Sequence, residues 1–128
     1  MIGYVMLGTN DVARAGAFYD AVLGSVGIGR LAEFERGPAY GMAWDKPLLA
    51  VCGPYDGQPA TAGNGTMIAI VVDSRAKVDV AHGKAMALGA VDEGAPGVRG
   101  PDGANAFYGG YFRDPDGNKL CVFFMGPA

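Results

Sequence analysis

Residues 108–124 have the sequence YGGYFRDPDGNKLCVFF, and this stretch decides the fold. The aromatic run Tyr108–Phe112 and the apolar run Leu120–Phe124 favour extended strands. Proline presets the backbone for a turn, while Asp-Gly and Asn tolerate the left-handed conformation that a tight reversal needs. The stretch therefore predicts a β-hairpin with its turn at Asp114–Asn118.

An internal repeat extends this prediction to the whole chain. Strand-like, capping, helix-like and glycine segments follow one another twice: Tyr4–Leu7, Asn10-Asp11, Val12–Leu23 and Gly24, then Met67–Val72, Asp73-Ser74, Arg75–Leu88 and Gly89. Apolar residues recur at helical spacing in both helices, a polar side chain caps each start, and a glycine can end each helix in the left-handed conformation.

Strand material follows each helix. The predicted strands are Leu31–Arg36, Tyr40–Trp44 and Leu48–Cys52 in the first half, and Phe107–Arg113 and Lys119–Phe124 in the second. The Gly- and Pro-rich segment Glu93–Asn105 is predicted to be a loop. The repeat thus predicts one domain, 1–128, with βαβββ modules at 1–56 and 66–128 and a connector at 57–65.

Composition limits the class of protein. The chain has 128 residues, half of them hydrophobic, which suits one domain with a sizeable core. A net charge of −3 and a pI near 4.9 argue against nucleic acid or a membrane surface as a partner. The apolar segment Met1–Gly8 lacks a basic start and is too short to span a membrane, so we expect a cytoplasmic protein. Cys52 and Cys121 are then expected to be reduced, buried thiols.

Four stretches carry a family resemblance: residues 10–19, 56–67, 90–97 and 108–124. They resemble the glyoxalase/bleomycin-resistance/extradiol-dioxygenase superfamily, which has the vicinal oxygen chelate fold, and in particular its small single-domain glyoxalase-like members. The resemblance implies an α+β fold in which two βαβββ modules form a cupped, incomplete barrel of mixed sheet with helices outside. It also implies a small-molecule ligand or substrate and a homodimer, since related members often build their sites at a dimer interface.

The resemblance also implies where a metal would be bound. The superfamily's ligand positions, matched by motif, fall at Tyr4, Met67 and Cys121, with a fourth near Leu49. None of these residues is His, Asp or Glu, and His82 is the only histidine. Iron, nickel and zinc sites need imidazoles and carboxylates, so we expect no metal and no cofactor. A soft ion such as Cu(I) on Tyr, Met and Cys is the alternative.

An aromatic pocket is the other candidate site. Along the last strand, alternation places Lys119, Cys121 and Phe123 on one face, which the resemblance makes the ligand face. We expect Tyr4, Met67 and Cys121 to cluster on the floor. The full set of candidate pocket residues is Tyr4, Trp44, Leu49, Met67, Tyr108, Tyr111, Phe112, Cys121 and Phe123. Strand alternation decides whether Tyr111 or Phe112 faces the pocket.

Four other features are given structural roles. His82 is expected on a helix flank, facing solvent or a neighbouring loop. Arg113 either clamps a ligand carboxylate or pairs with a nearby acid at a strand end. Asp114 and Asp116 are expected to bond their own turn backbone. The glycine cluster at 24–29 follows a helix, so it is a connector and not a phosphate loop.

Three functions remain open at this stage. The first is a metal-free protein, similar to bleomycin-resistance proteins, that binds a small, partly apolar molecule in a concave pocket. The second is an enzyme: a glyoxalase-like lyase or isomerase that uses Tyr4, Tyr108 or Tyr111 as acid or base, or a metal-dependent lyase or dioxygenase with non-standard ligands. The third is a structural or regulatory domain.

Overall fold

Two helices and eight strands make up the structure, a computed structural model that describes residues 1–128. In chain order they are β1 (Tyr4–Gly8), α1 (Val12–Gly24), β2 (Gly29–Phe34), β3 (Gly37–Gly41), β4 (Leu48–Cys52), β5 (Met67–Val71), α2 (Arg75–Ala87), β6 (Val91–Arg99), β7 (Phe107–Arg113) and β8 (Lys119–Met125). Neither α1 nor α2 has the length and apolar character that a membrane-spanning helix requires.

Each half of the chain forms one four-stranded mixed sheet. The strand orders are β1-β4-β3-β2 and β5-β8-β7-β6, so the same order occurs twice. In each sheet the first strand pairs with the last in parallel, and the remaining pairs are antiparallel. The sheets do not close into a barrel. The predicted α+β fold of two βαβββ modules is confirmed.

The main core lies between the helices and one face of each sheet. It contains Leu7, Ala15, Phe18, Tyr19, Val22, Leu23, Val26, Tyr40, Leu49, Val51, Val78, Ala81, Ala85, Phe112, Leu120 and Val122. Phe18 of α1 contacts Phe112 of the second sheet, with ring centroids 6.3 Å apart, so one core spans both modules. We call the opposite side of each sheet, which faces away from the helices, its open face.

The helix caps follow the sequence closely. Asp11 accepts a hydrogen bond from the Arg14 amide at 3.0 Å, and Ser74 accepts one from the Lys77 amide at 3.2 Å. Gly89 follows α2 with φ +89°, as predicted for a left-handed residue after the helix. In the first module this role was assigned to Gly24, which is wrong, because Gly24 is still helical.

Gly27 is the left-handed residue after α1, with φ +86°. Strand positions also differ from the prediction. β6 occupies 91–99, where a loop was predicted at 93–105, and it pairs with β7 through register shifts around Gly94 and Gly97. These irregularities allow glycines to lie within a strand. The glycine content of the segment had favoured a loop. β2 and β3 begin at Gly29 and Gly37, earlier than expected, so Trp44 lies in the β3–β4 connection.

The β7–β8 turn also joins the two modules. Asp114 Oδ1 accepts hydrogen bonds from the amides of Asp116 and Asn118, which confirms its role in the turn. For Asp116 the predicted bond to its own turn backbone is wrong: its side chain accepts hydrogen bonds from the Asn10 amide and from Arg14. The Asn118 side chain donates to the Gly8 carbonyl at 2.9 Å. The turn therefore fastens the second sheet to the β1–α1 junction.

Candidate functional site

A cavity of about 540 Å³ lies on the open face of the first sheet. Its lining residues are Gly3, Tyr4, Met6, Phe34, Arg36, Ala39, Trp44, Leu48, Ala50 and Cys52. This volume is in the range of pockets that bind small molecules. All four strands of the sheet, or the segments directly beside them, contribute side chains, so the cavity is a product of the whole first module.

Strand alternation explains which side chains enter this cavity. Tyr4 and Met6 of β1 point to the open face, while the alternate residues Val5 and Leu7 pack toward the helices. The register places Tyr4 beside Leu48 of the parallel strand β4. The alternate residues of β4 therefore line the cavity with those of β1.

Small side chains form the cavity floor and large aromatic ones its walls. Ala39 and Ala50 are register partners on adjacent strands, and both are buried at the base of the cavity. Tyr4, Phe34 and Trp44 rise around them, with 67%, 54% and 66% of their surface exposed. A cavity with a small-residue floor and aromatic walls can hold a flat or partly apolar molecule.

Arg36 is the only charged residue that lines this cavity. It lies in the turn between β2 and β3 and is half-buried. Its Nη1 donates to the Gly53 carbonyl at 3.1 Å, and its guanidinium lies 5.3 Å from the centroid of the Tyr55 ring. Two neighbours thus hold the guanidinium beside the apolar lining.

Cys52 contributes a thiol to the same lining. Burial raises the pKa of this thiol above its ordinary value, and the positive charge of Arg36 opposes the shift. The group is therefore a protonated thiol at neutral pH, which is a poor nucleophile and a poor metal ligand. It contributes packing surface rather than chemistry.

A second cavity of about 660 Å³ lies between the first module and β5. All five residues of β5 line it, together with Ile2, Val5, Leu23, Ile28, Tyr40, Gly41, Met42, Lys46, Pro47, Leu48 and Leu49. Several of these side chains, among them Leu23, Tyr40 and Leu49, already belong to the core. Like the first cavity it has one charged lining residue, here Lys46, but part of its lining is already packed in the core.

The open face of the second sheet is aromatic and basic. Phe107 and Phe123 stack there with centroids 5.2 Å apart. Arg99 and Lys119 both approach the Tyr111 ring, at 5.5 and 5.9 Å from its centroid. Burial raises the pKa of the Tyr111 phenol, so this hydroxyl stays protonated and can only donate a hydrogen bond or accept one as a neutral group.

Cys121 lies beneath Tyr111, its register partner on β7. Burial raises the pKa of the Cys121 thiol, and Tyr111, Arg99 and Lys119 oppose that shift. The residue is 1% exposed. Like Cys52, it is a buried, protonated thiol at neutral pH.

The predicted pocket residues divide among three places. Tyr4 and Trp44 line the first cavity, and Met67 lines the second. Tyr111, Cys121 and Phe123 share the open face of the second sheet, so alternation selects Tyr111 over Phe112.

Three other members of the predicted set lie on the helix side of their sheets. Leu49 and Phe112 are core residues, and Tyr108 packs against the core while its hydroxyl donates to Asp79 of α2 at 2.7 Å. Tyr4, Met67 and Cys121 do not line one common cavity. Met67 and Cys121 share the open face of the second sheet, because Met67 pairs in register with Lys119, whereas Tyr4 lies on the first sheet.

Sequence reasoning did not single out Phe34, Arg36, Ala39, Ala50 or Cys52 as lining residues. One usable signal was the alternation in β4, since Leu48, Ala50 and Cys52 have the same parity. A shift of one residue from Leu49 would have selected this set. All five residues of that strand are apolar, however, so the sequence does not distinguish its two faces.

Two polar candidates have structural partners. His82 is 5% exposed, with Nε2 3.1 Å from Asp92 Oδ1 and 3.2 Å from the Tyr111 carbonyl oxygen. The expectation that His82 faces solvent or a neighbouring loop is therefore wrong, because the ring is buried against strands β6 and β7. Arg113 donates to Glu93 at 2.7 Å, which is the acid pairing considered for a strand end.

The residues present do not fit the metal that the family resemblance implies. Nowhere do three or more His, Cys, Asp or Glu side chains lie close enough together to hold an ion. The matched positions offer a phenol, a thioether and a protonated thiol; the phenol lies on the first sheet and the other two groups lie on the second. Such donors do not suit the harder divalent ions.

The fold and this site define a class of protein. The family model of the Glyoxalase/Bleomycin resistance protein/Dioxygenase superfamily matches residues 1–122, and the chain belongs to that superfamily. A glyoxalase/bleomycin resistance protein from Albidiferax ferrireducens T118 is 36% identical, with 98% of each chain covered and a TM-score of 0.85.

More distant structures share the fold alone. A lactoylglutathione lyase from Agrobacterium tumefaciens is 22% identical, with 97% of this chain and 92% of that chain covered and a TM-score of 0.65. A glyoxalase-related enzyme from Fulvimarina pelagi is 18% identical, with 97% and 87% covered and a TM-score of 0.73. No protein of curated function matches the chain in sequence.

Proposed function

We propose that this protein binds a small, partly apolar molecule without a metal, in the cavity on the open face of the first sheet. The observation that carries the proposal is the shape of that cavity: a floor of alanines, aromatic walls and a volume of about 540 Å³. Burial of apolar ligand surface contributes roughly 25 cal/mol per Å², which supports micromolar binding after the costs of association.

The state of the tyrosines favours binding over acid–base catalysis. The hydrogen bond to Asp79 raises the pKa of Tyr108, and burial raises that of Tyr111. Both phenols are therefore protonated at neutral pH and cannot act as bases. Tyr4 is the only tyrosine in the first cavity, and no His, Asp or Glu lines that cavity to act as a general base beside it.

Trp44 allows a direct test, because it is the only tryptophan in the chain and lines the cavity. Titration with phenylnaphthylamine, a neutral aromatic probe, should quench Trp44 fluorescence and raise the melting temperature. Ala50→Phe fills the cavity floor and should weaken probe binding about tenfold or more. EDTA should leave the titration unchanged.

Ala69→Phe is the matched control for this substitution. Ala69 has an exposed side chain on β5 and lines the second cavity, not the first. We expect this variant to bind the probe like the parent. Equal probe affinity in Ala50→Phe and the parent would show that the first cavity is not the site.

A further inference from the structure

The arginines of this chain differ in how their charge is neutralised. Of six arginines in the sequence, four form ion pairs: Arg14 with Asp116, Arg30 with Asp20 and Glu33, Arg75 with Asp102, and Arg113 with Glu93. Arg36 and Arg99 have no carboxylate within ion-pair distance. Only Arg36 lines the cavity of the first sheet.

The protein fixes the Arg36 side chain without neutralising it. The Gly53 amide donates to the Arg36 carbonyl at 2.9 Å, while Arg36 Nη1 donates to the Gly53 carbonyl, so backbone and side chain are both anchored. The Tyr55 ring supports the guanidinium from one side. Nε and Nη2 make no hydrogen bond within the protein, which leaves donors available to a ligand.

We infer that the ligand is an apolar, mainly aromatic molecule with one anionic group, a carboxylate or a sulfonate, that binds to Arg36. The inference rests on the proposed binding function and adds the charge of the ligand to it. A guanidinium is suited to such groups because two parallel N–H donors match two oxygen atoms.

The cost of removing water from the Arg36 guanidinium favours an anionic ligand over a neutral or cationic one. A neutral ligand that covers Arg36 removes water from the guanidinium and returns no hydrogen bond, which costs binding free energy. A cationic ligand adds repulsion to this cost. An anion replaces the lost water with a charge-assisted hydrogen bond next to an apolar wall, where the interaction is stronger than in bulk water.

Arg99 provides a matched control. It too lacks an acidic partner and lies over a tyrosine ring, that of Tyr111, but on the open face of the second sheet. Replacement of either arginine by glutamine removes one positive charge, so both variants change the net charge of the protein equally. Only a loss specific to Arg36 reports on the first cavity.

The experiment compares two probes with the same aromatic body. Anilinonaphthalene sulfonate carries an anion, and phenylnaphthylamine does not; each is titrated while Trp44 fluorescence is recorded. The parent should bind the sulfonate about tenfold more tightly, and Arg36→Gln should remove that advantage. Arg36→Lys should keep most of it, Arg99→Gln should keep all of it, and phenylnaphthylamine affinity should change less than twofold throughout.

The possible outcomes distinguish failure of the anion preference from failure of the proposed binding function. If the neutral probe binds as tightly as the sulfonate, or if Arg36→Gln and Arg99→Gln lose sulfonate affinity equally, the anion preference is overturned while small-molecule binding stands. If neither probe changes Trp44 fluorescence, both proposals are overturned. Added salt should weaken sulfonate binding and spare the neutral probe, and the absence of this difference also contradicts the inference.

Discussion

Asp114 shows how a single buried carboxylate can join a turn to a helix. It is 3% exposed, and its two oxygens accept four hydrogen bonds. Two come from turn amides, one from the Asn118 side chain and one from the Tyr19 hydroxyl of α1 at 2.5 Å. A buried charge is stable only when its hydrogen-bonding capacity is satisfied in this way.

Tyr19→Phe should therefore destabilise the protein by about 1.5–3 kcal/mol, the usual cost of losing a hydrogen bond to a charged group. The free energy of unfolding in urea measures the effect. Tyr40→Phe is the control, since Tyr40 donates to Asp20 at 2.8 Å, a carboxylate whose side chain is 47% exposed. Water can replace that bond, so the control should lose less stability; equal losses would contradict the role given to burial.

Residue chemistry was predictable where local sequence determines it. The turn role of Asp114 follows from its Asp-Pro-Asp-Gly setting, and the alternation of Cys121 and Phe123 follows from strand periodicity. Arg36 could not be assigned to a site from sequence. Its importance comes from lacking an acidic neighbour in space and from contact with Gly53 and Tyr55, neither of which is a local property.

At the scale of elements, α2 contains a residue of low helix propensity, a glycine, on its exposed face. Gly83 lies in the middle of the helix, and a Cβ added there meets nothing within 4 Å. Gly83→Ala should raise the free energy of unfolding by about 0.5–1 kcal/mol, because alanine loses less conformational freedom on folding. Thermal unfolding measures the gain.

Gly16 of α1 is the contrasting position for the same substitution. A Cβ there would lie 2.6 Å from Arg30 Nη2, whose guanidinium is paired with Asp20. The propensity gain of Gly16→Ala should be offset by displacement of that ion pair. A gain in Gly16→Ala as large as in Gly83→Ala would mean that the Arg30 side chain yields freely.

Elements with a strong periodic pattern were predicted, and irregular ones were not. Both helices begin where the capping residues Asp11 and Ser74 predict. β6 was missed because Gly94, Pro96 and Gly97 have the composition of a loop, and the strand exists through its pairing with β7. Nonlocal pairing supplies the hydrogen bonds that local propensity does not indicate.

At the scale of the whole molecule, the two modules share one core but leave both open faces uncovered. Tyr4 on β1, Trp44 in the β3–β4 connection and Val71 on β5 are each about two-thirds exposed, at 67%, 66% and 67%. β1 and β5 are also edge strands, each paired on one side only. Exposed apolar faces beside free strand edges are typical of surfaces that pair with another chain.

A homodimer is the predicted arrangement, and light scattering should give a mass near 26 kDa, twice the 13.1 kDa of one chain. Val71→Lys places a charge on the uncovered surface and should shift the mass toward one chain. Val80→Lys, on the exposed side of α2 at 49% exposure, makes the same change away from the sheets and should leave the dimer intact. A parent that stays monomeric at micromolar concentration, or equal dissociation of both variants, would contradict pairing through the open faces.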